Sequence, residues 1–201
     1  MKKELNIRTI VLVLSTFLVG AWRFTNEGFG HAPLVNFTPI GAMALFGGAY
    51  FNTTSRAFIL PLLTLFFSDV LLMQFRYSNH VSGILYEGWY WTYGAFALMV
   101  LVGKYINTKV SIGSVLGGSL IAALLHWLIT DFGVWAAGGR NMLTGLPYTK
   151  DISGLITCYI AAIPYFKNLL LSNILYSAIL FGGFEIAQYK FSILKPIRVN
   201  A

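Results

Sequence analysis

Within the apolar run LLTLFFSDVLL (Leu62–Leu72) stands one carboxylate, Asp69. A second, Asp131, stands in LLHWLITDFGVW beside His126, Trp127 and Trp135, and NLLLSNILYS carries Ser172 and Asn173. A charge at the centre of a bilayer costs about 2.5–3.5 kcal/mol on insertion scales, so such residues face a bundle interior or a watery cavity and mark a site by default. Trp127, Asp131 and Trp135 are spaced i, i+4, i+8 and share one helix face. A carboxylate between two indoles is the make-up of a small-molecule pocket, which combines aromatic wall with few polar groups. The competing reading has both aspartates accepting hydrogen bonds from neighbouring helices and the tryptophans anchoring at the membrane surface. His126 lies about 100° round the helix from Trp127. It is expected to hydrogen-bond a neighbour, and no metal site is expected.

The motifs that would make these residues an enzyme are missing. The chain has no HExxH, GxSxG, Walker loop or CxxC. No serine, cysteine or histidine stands in a nucleophile–base arrangement. The expectation is a protein that is not an enzyme and carries no cofactor. Cys158 is the single cysteine, which excludes an internal disulfide and a multi-cysteine metal site.

The elements that position these residues are membrane helices. Of 201 residues, 57% are hydrophobic and 10% charged, against about 25% charged in soluble domains. Mean hydropathy is +0.69. The net charge of +7 comes from scattered Lys and Arg at the ends of apolar segments, a pattern of membrane topology rather than of a nucleic-acid groove. The basic, apolar N-terminus lacks a small-x-small cleavage site at VGAWRF. It reads as a retained first span rather than a removed signal.

A span needs about 20 mainly apolar residues. Six are expected: Ile7–Trp22, Phe37–Phe51, Ala57–Phe75, Trp89–Ile106, Ile112–Trp135 and Asn168–Gln188. The short apolar piece GLITCYIAAIPYF, between Lys150 and Lys167, reads as an interfacial or re-entrant helix that breaks at Pro164 before the last span. The fold class is thus an all-α membrane protein, one domain over 1–201. With six spans the termini share a side. That side would hold Lys2, Lys3, Arg8, Arg56, Lys104, Lys109, Lys190, Lys195 and Arg198, against Arg23, Arg76, Arg140, Lys150 and Lys167 opposite. This imbalance places both termini in the cytoplasm. YEGWYWTY (Tyr86–Tyr93) then falls at the outer surface. In this topology Asp69, Asp131 and Asn173 converge on one depth in the outer half.

Two rows of small residues permit close helix approach. Gly41, Ala44 and Gly48 form one, and Gly113–Gly117 with Ser114–Gly118–Ala122 form a double row. Packing within the chain is the expected use, contact with a partner subunit the alternative. Glu185, beside Lys190, reads as a snorkelling or paired surface charge.

Several longer stretches resemble a known family: HAPLVNFTPIGAMALFGGAYF (His31–Phe51), LLTLFFSDVLL, TDFGVWAAGG (Thr130–Gly139) and GLITCYIAAIPYFKNLLLSNILYSAILFG (Gly154–Gly182). Over roughly residues 23–185 they look like an uncharacterised family of bacterial inner-membrane proteins known only as candidate transporters. That family is in turn similar to the substrate-binding (S) subunits of energy-coupling-factor (ECF) transporters. The resemblance implies six helices with cytoplasmic termini and an outward pocket closed by loops. It also implies a transmembrane coupling subunit and two cytoplasmic ATPases as partners, with a vitamin-like compound or metal ion as substrate. It carries over Arg23, His31, Asn36, Phe37 and Thr38 to the outer mouth. Asn36 or Thr38 would serve as a helix cap, and Arg23 would be a binding group. The chain departs from the family pattern where Asp131 and Ser172-Asn173 stand for Asn and Gly-Asp. An exchange of acid and amide across one pocket would account for this. The first span also lacks the alanine row on which many S subunits dock.

Three readings follow. The first is a substrate-capture subunit of a small-molecule importer in the bacterial inner membrane, with Asp69, Asp131, Asn173, Arg23, Asn36, His126, Trp127 and Trp135 around the substrate. The second is a membrane scaffold or assembly protein in which the polar residues only lock helices. The third, a lipid enzyme using His126 and Asp131, suffers from their spacing, which points them in different directions.

Overall fold

A helix that is apolar on every side needs company on every side. IGAMALFGGAY is such a sequence, and it forms α2 (Ile40–Tyr50), all eleven residues of which are buried. The computed structural model describes residues 7–26, 36–75, 77, 83–106, 110–141 and 144–195. The other helices are α1 (Ile7–Asn26), α3 (Thr54–Phe75), α4 (Trp89–Ile106), α5 (Ile112–Ala136), α6 (Ile152–Ala161) and α7 (Ile163–Lys190), followed by a 3₁₀ turn at Ser192–Leu194. Among the described residues there is no strand, only an isolated bridge between Arg140 and Pro147. Five helices, α1, α3, α4, α5 and α7, pack round α2. Phe46 and Tyr50 of α2 stack with Phe181 and Phe184 of α7 at centroid distances of 4.7–5.5 Å.

Glycines bring the backbones together. A Cβ on Gly48 would lie 2.2 Å from the Val100 carbonyl oxygen, and one on Gly103 of α4 would lie 2.2 Å from that of Leu45. The two helices therefore touch main chain to main chain. Gly47 makes room for Pro61 of α3, and Gly41 for the amide of Asn173 of α7. The α2 row thus serves packing within the chain. The α5 rows divide: Gly118 packs on Ile106, while Gly113 and Gly117 face open space.

Three helices, α3, α5 and α7, are long and apolar enough to cross a membrane. Their large apolar side chains Phe67, Leu120 and Ile179 are exposed, as lipid-facing residues are. This all-helical chain has the character of a membrane protein. At eleven residues α2 is only about 16 Å long, too short to cross hydrocarbon about 30 Å thick by itself. It begins at Ile40 rather than at Phe37.

Two local expectations need correction. Pro164 does not end the short helix. The break lies at Ala162, and Pro164 sits in the first turn of α7, where its missing N–H leaves no bond unmade. The last long helix therefore starts at Ile163, not at Asn168. Nor does Asn36 or Thr38 cap α2. The N-cap position is Pro39, with no side-chain cap bond, and the Thr38 hydroxyl is buried without a partner. Asn36 instead takes a left-handed turn with φ 65°, which asparagine tolerates better than most residues. His31, Lys2, Lys3, Arg76, Lys109 and Arg198 lie outside the described residues.

The glycine contact between α2 and α4 generates a prediction. Gly48→Ala and Gly103→Ala are each expected to lower stability by about 2 kcal/mol or more, since backbone cannot step aside. Gly117→Ala, in open space, is expected to lose nothing and to gain up to about 1 kcal/mol of helix propensity. Denaturation of the purified protein in detergent, followed by circular dichroism, compares the three. Equal losses at all three positions would contradict the proposed contact.

Candidate functional site

Asp69 occupies the buried face of α3 with zero exposure. Arg23, in the last turn of α1, donates to its Oδ1 at 2.5 Å and to the Ser68 hydroxyl at 2.7 Å. The Tyr93 hydroxyl of α4 donates to its Oδ2 at 3.0 Å. Both carboxylate oxygens are therefore bonded, and the charge is balanced. A buried carboxylate needs this much to be tolerated. Arg23 and Asp69 come together, but as partners of each other.

Asn173 is likewise fully buried. Its Nδ2 donates to the Ser119 carbonyl at 3.4 Å, and its Oδ1 lies against Gly41 with no hydrogen-bond donor. It wedges α2, α5 and α7 together. Ser119 and Ser177 approach within 3.4 Å at the same level.

The face of α5 with Trp127, Asp131 and Trp135 lies against α6. The two ends of this face are occupied differently. Trp135 Nε1 donates to the Thr149 carbonyl at 2.8 Å. Lys150 Nζ lies 5.4 Å from the Trp135 ring centroid and donates to the Trp135 and Ala136 carbonyls at 2.5 and 2.9 Å. A cation on the last carbonyls complements the negative end of the helix. Trp135 thus anchors the loop that returns to α6. Trp127 packs between Tyr159 and Phe166, with centroids at 5.2 and 5.4 Å, and its indole N–H is buried without an acceptor.

Asp131 lies between them, half-buried. Its carbonyl receives the Cys158 thiol at 3.5 Å, and its carboxylate lies near Tyr148, Cys158 and Tyr159. The Tyr159 hydroxyl donates to the Leu128 carbonyl at 2.8 Å. The carboxylate itself has no hydrogen bond or ion pair to any described residue. His126 turns the other way, its ring against Phe96 of α4 at 5.7 Å, with Thr130 bonded to its carbonyl. The α5 face therefore holds two unmatched polar groups, an acid and an indole N–H, among aromatic rings. Such an arrangement leaves an acceptor and a donor open to a group outside these helices. Among the described residues no three His, Cys, Asp or Glu side chains form a metal group.

A second polar cluster at the opposite end escaped sequence reasoning. Arg8 of α1 is buried and donates to Gln188 Oε1 at 2.7 Å, the Leu194 carbonyl at 2.6 Å and the Tyr50 carbonyl at 3.3 Å. Its guanidinium lies over the rings of Phe184 and Tyr50. Tyr50 donates to Glu185, and Gln188 donates to the same carboxylate at 3.1 Å. Glu185 is thus paired, with partners on α2 and α7 rather than the neighbouring Lys190. A signal existed in the sequence. Arg8, Leu12, Thr16, Val19 and Arg23 fall on one helix face, and all but the partly buried Arg23 are buried.

Two predictions follow from these contacts. Arg23→Gln or Asp69→Asn alone is expected to cost about 3 kcal/mol or more, because each strands a buried partner. The double variant is expected to lose clearly less than the sum, as measured by unfolding in detergent; additive losses would rule out the pair. At the α6 N-cap, Asp151 accepts from the Gly154 amide at 2.7 Å and from Thr149 at 2.7 Å, and these bonds hold its carboxyl below the ordinary 3.8. A depressed folded value means that the cap is fully present above the ordinary value and is lost as pH falls through the folded one. Amide exchange at Gly154 is expected to rise on acidification relative to Asp151→Asn, whose side chain does not titrate.

No curated protein and no solved structure matches the chain. A family model does match, over residues 3–195, nearly the whole length. The chain whose helices surround α2 and whose α5 carries an unmatched aspartate belongs to the Family of unknown function (DUF6580).

Proposed function

We propose that this protein is the substrate-capture subunit of a small-molecule uptake system, built like the S subunits of ECF transporters. The observation that carries the reading is the Asp131 carboxylate, half-buried on an aromatic face of an apolar helix with no group to balance it among the described residues. A packing residue in that place would have a partner, as Asp69 has. A ligand-binding residue has its partner in the ligand. In this reading α1 to α5 and α7 are six spans, α2 crossing with help from its flanking turns, and α6 lies near the outer surface. Both termini are cytoplasmic in a bacterial inner membrane. Substrate enters from the α5–α6 side, and release depends on a transmembrane coupling subunit and cytoplasmic ATPases.

A scaffold is the second reading, and one observation favours it: the Arg23–Asp69–Tyr93 cluster spends three of the outer polar groups on joining α1, α3 and α4. In that case Asp131 would await a protein partner.

Mass spectrometry of small molecules that co-purify with the full chain separates the two. Wild type and Asp151→Ala are expected to retain a compound that Asp131→Ala loses at least tenfold. If nothing is retained, or Asp131→Ala retains it equally, the capture reading falls.

A further inference from the structure

We infer that the ligand of the Asp131 face is an organic ammonium ion; this rests on the capture reading above. The inference begins with charge balance among the described acids of the helices. Asp69 is paired with Arg23. Glu185 is bonded by Tyr50 and Gln188 and lies within the field of Arg8. Of these acids only Asp131 has no compensating group among the described residues. Of the basic residues in the loop between α5 and α6, Arg140 donates to the Gly145 carbonyl at 3.3 Å, and Lys150 has its ammonium on the carbonyls that end α5. An uncompensated carboxylate in a region of low dielectric favours a cation and disfavours an anion.

The walls decide what kind of cation. One carboxylate and one thiol are too few ligands for a divalent metal, which takes four or more, and no third donor joins them among the described residues. What surrounds the acid is aromatic: Trp127, Tyr148 and Tyr159 on one side, Phe166 behind Trp127, and Trp135 one turn on. Aromatic faces attract ammonium groups with apolar substituents, each worth about 0.5–2 kcal/mol when desolvated. They offer little to a small hydrated ion. The Trp127 N–H, with no acceptor, adds a donor for an oxygen on the same ligand. Arg23, the group that would have favoured a carboxylate substrate, is occupied by Asp69.

The test uses full-length protein in detergent and a matched pair of probes, choline and its uncharged isostere 3,3-dimethyl-1-butanol, with benzylammonium and benzyl alcohol as a second pair. The ammonium member of at least one pair is expected to raise the unfolding temperature in a saturable way while its neutral isostere does not. Asp131→Asn is expected to abolish the shift, and Asp151→Asn to keep it. A Trp127→Phe variant is expected to weaken binding severalfold without abolishing it. Equal shifts from a charged probe and its isostere, an unchanged shift in Asp131→Asn, or no shift with any ammonium probe overturns the inference. A retained compound that is neutral or anionic also overturns it, yet leaves the capture reading standing. A chain that retains no compound removes both.

Discussion

Everything in this protein is arranged round a helix that has no solvent side. All eleven residues of α2 are buried, and its sequence has no polar side chain except the tyrosine at its end. Between helices in a bilayer, apolar surface alone brings no attraction, because lipid is as apolar as the partner; close packing and hydrogen bonds must supply it. The glycines of α2 meet that requirement. Gly48 and Gly103 let two backbones touch, and Gly47 and Gly41 receive Pro61 and Asn173. At such separations many atoms reach their dispersion minimum and Cα–H groups meet carbonyl oxygens. The outer helices are then placed by what they need to reach.

The first helix shows how the periphery is held. Arg8 and Arg23 stand fifteen residues apart, about 22 Å along the axis. With Leu12, Thr16 and Val19 between them, they form one buried seam. Arg8 bonds α2, α7 and the terminal 3₁₀ turn; Arg23 bonds α3 and reaches the carboxylate shared with α4. An arginine at each end, with the apolar seam of Leu12 and Val19 between them, ties α1 to the bundle. The planar guanidinium suits this use, because its donors reach several acceptors at once.

Three acids in the helices meet three environments, and this difference is the chemical content of the fold. Asp69 is neutralised by a guanidinium and a phenol. Glu185 is held by a phenol and an amide at the opposite end. Asp131 is left with aromatic rings, a buried thiol and an unmatched indole N–H. Polar groups spent on internal bonds stabilise the bundle. In the capture reading proposed above, the polar group left over is the one that a ligand would satisfy.

The helices were legible from the sequence because their cause is local. Apolar runs of sufficient length form helices in a membrane since every backbone group must be bonded within the segment. That argument found all seven helices, missing only end points such as the start of α7. The shared face of Trp127, Asp131 and Trp135 was legible for the same reason: helix periodicity is a property of one segment. Which acid is satisfied was not. Asp69 and Asp131 look alike in sequence, each a lone aspartate in an apolar run. Their fates depend on Arg23, forty-six residues before Asp69, and on Tyr93, twenty-four residues after it. Depth in the bilayer brought these groups into consideration, but only the packing of α1, α3 and α4 brings them within hydrogen-bond distance. Nor does any local rule say that Gly48 faces a backbone while Gly117 faces open space. By itself the sequence determined that these helices form and which faces they present. The tertiary structure decided which charges cancel and which one remains, because charge balance belongs to neighbours in space.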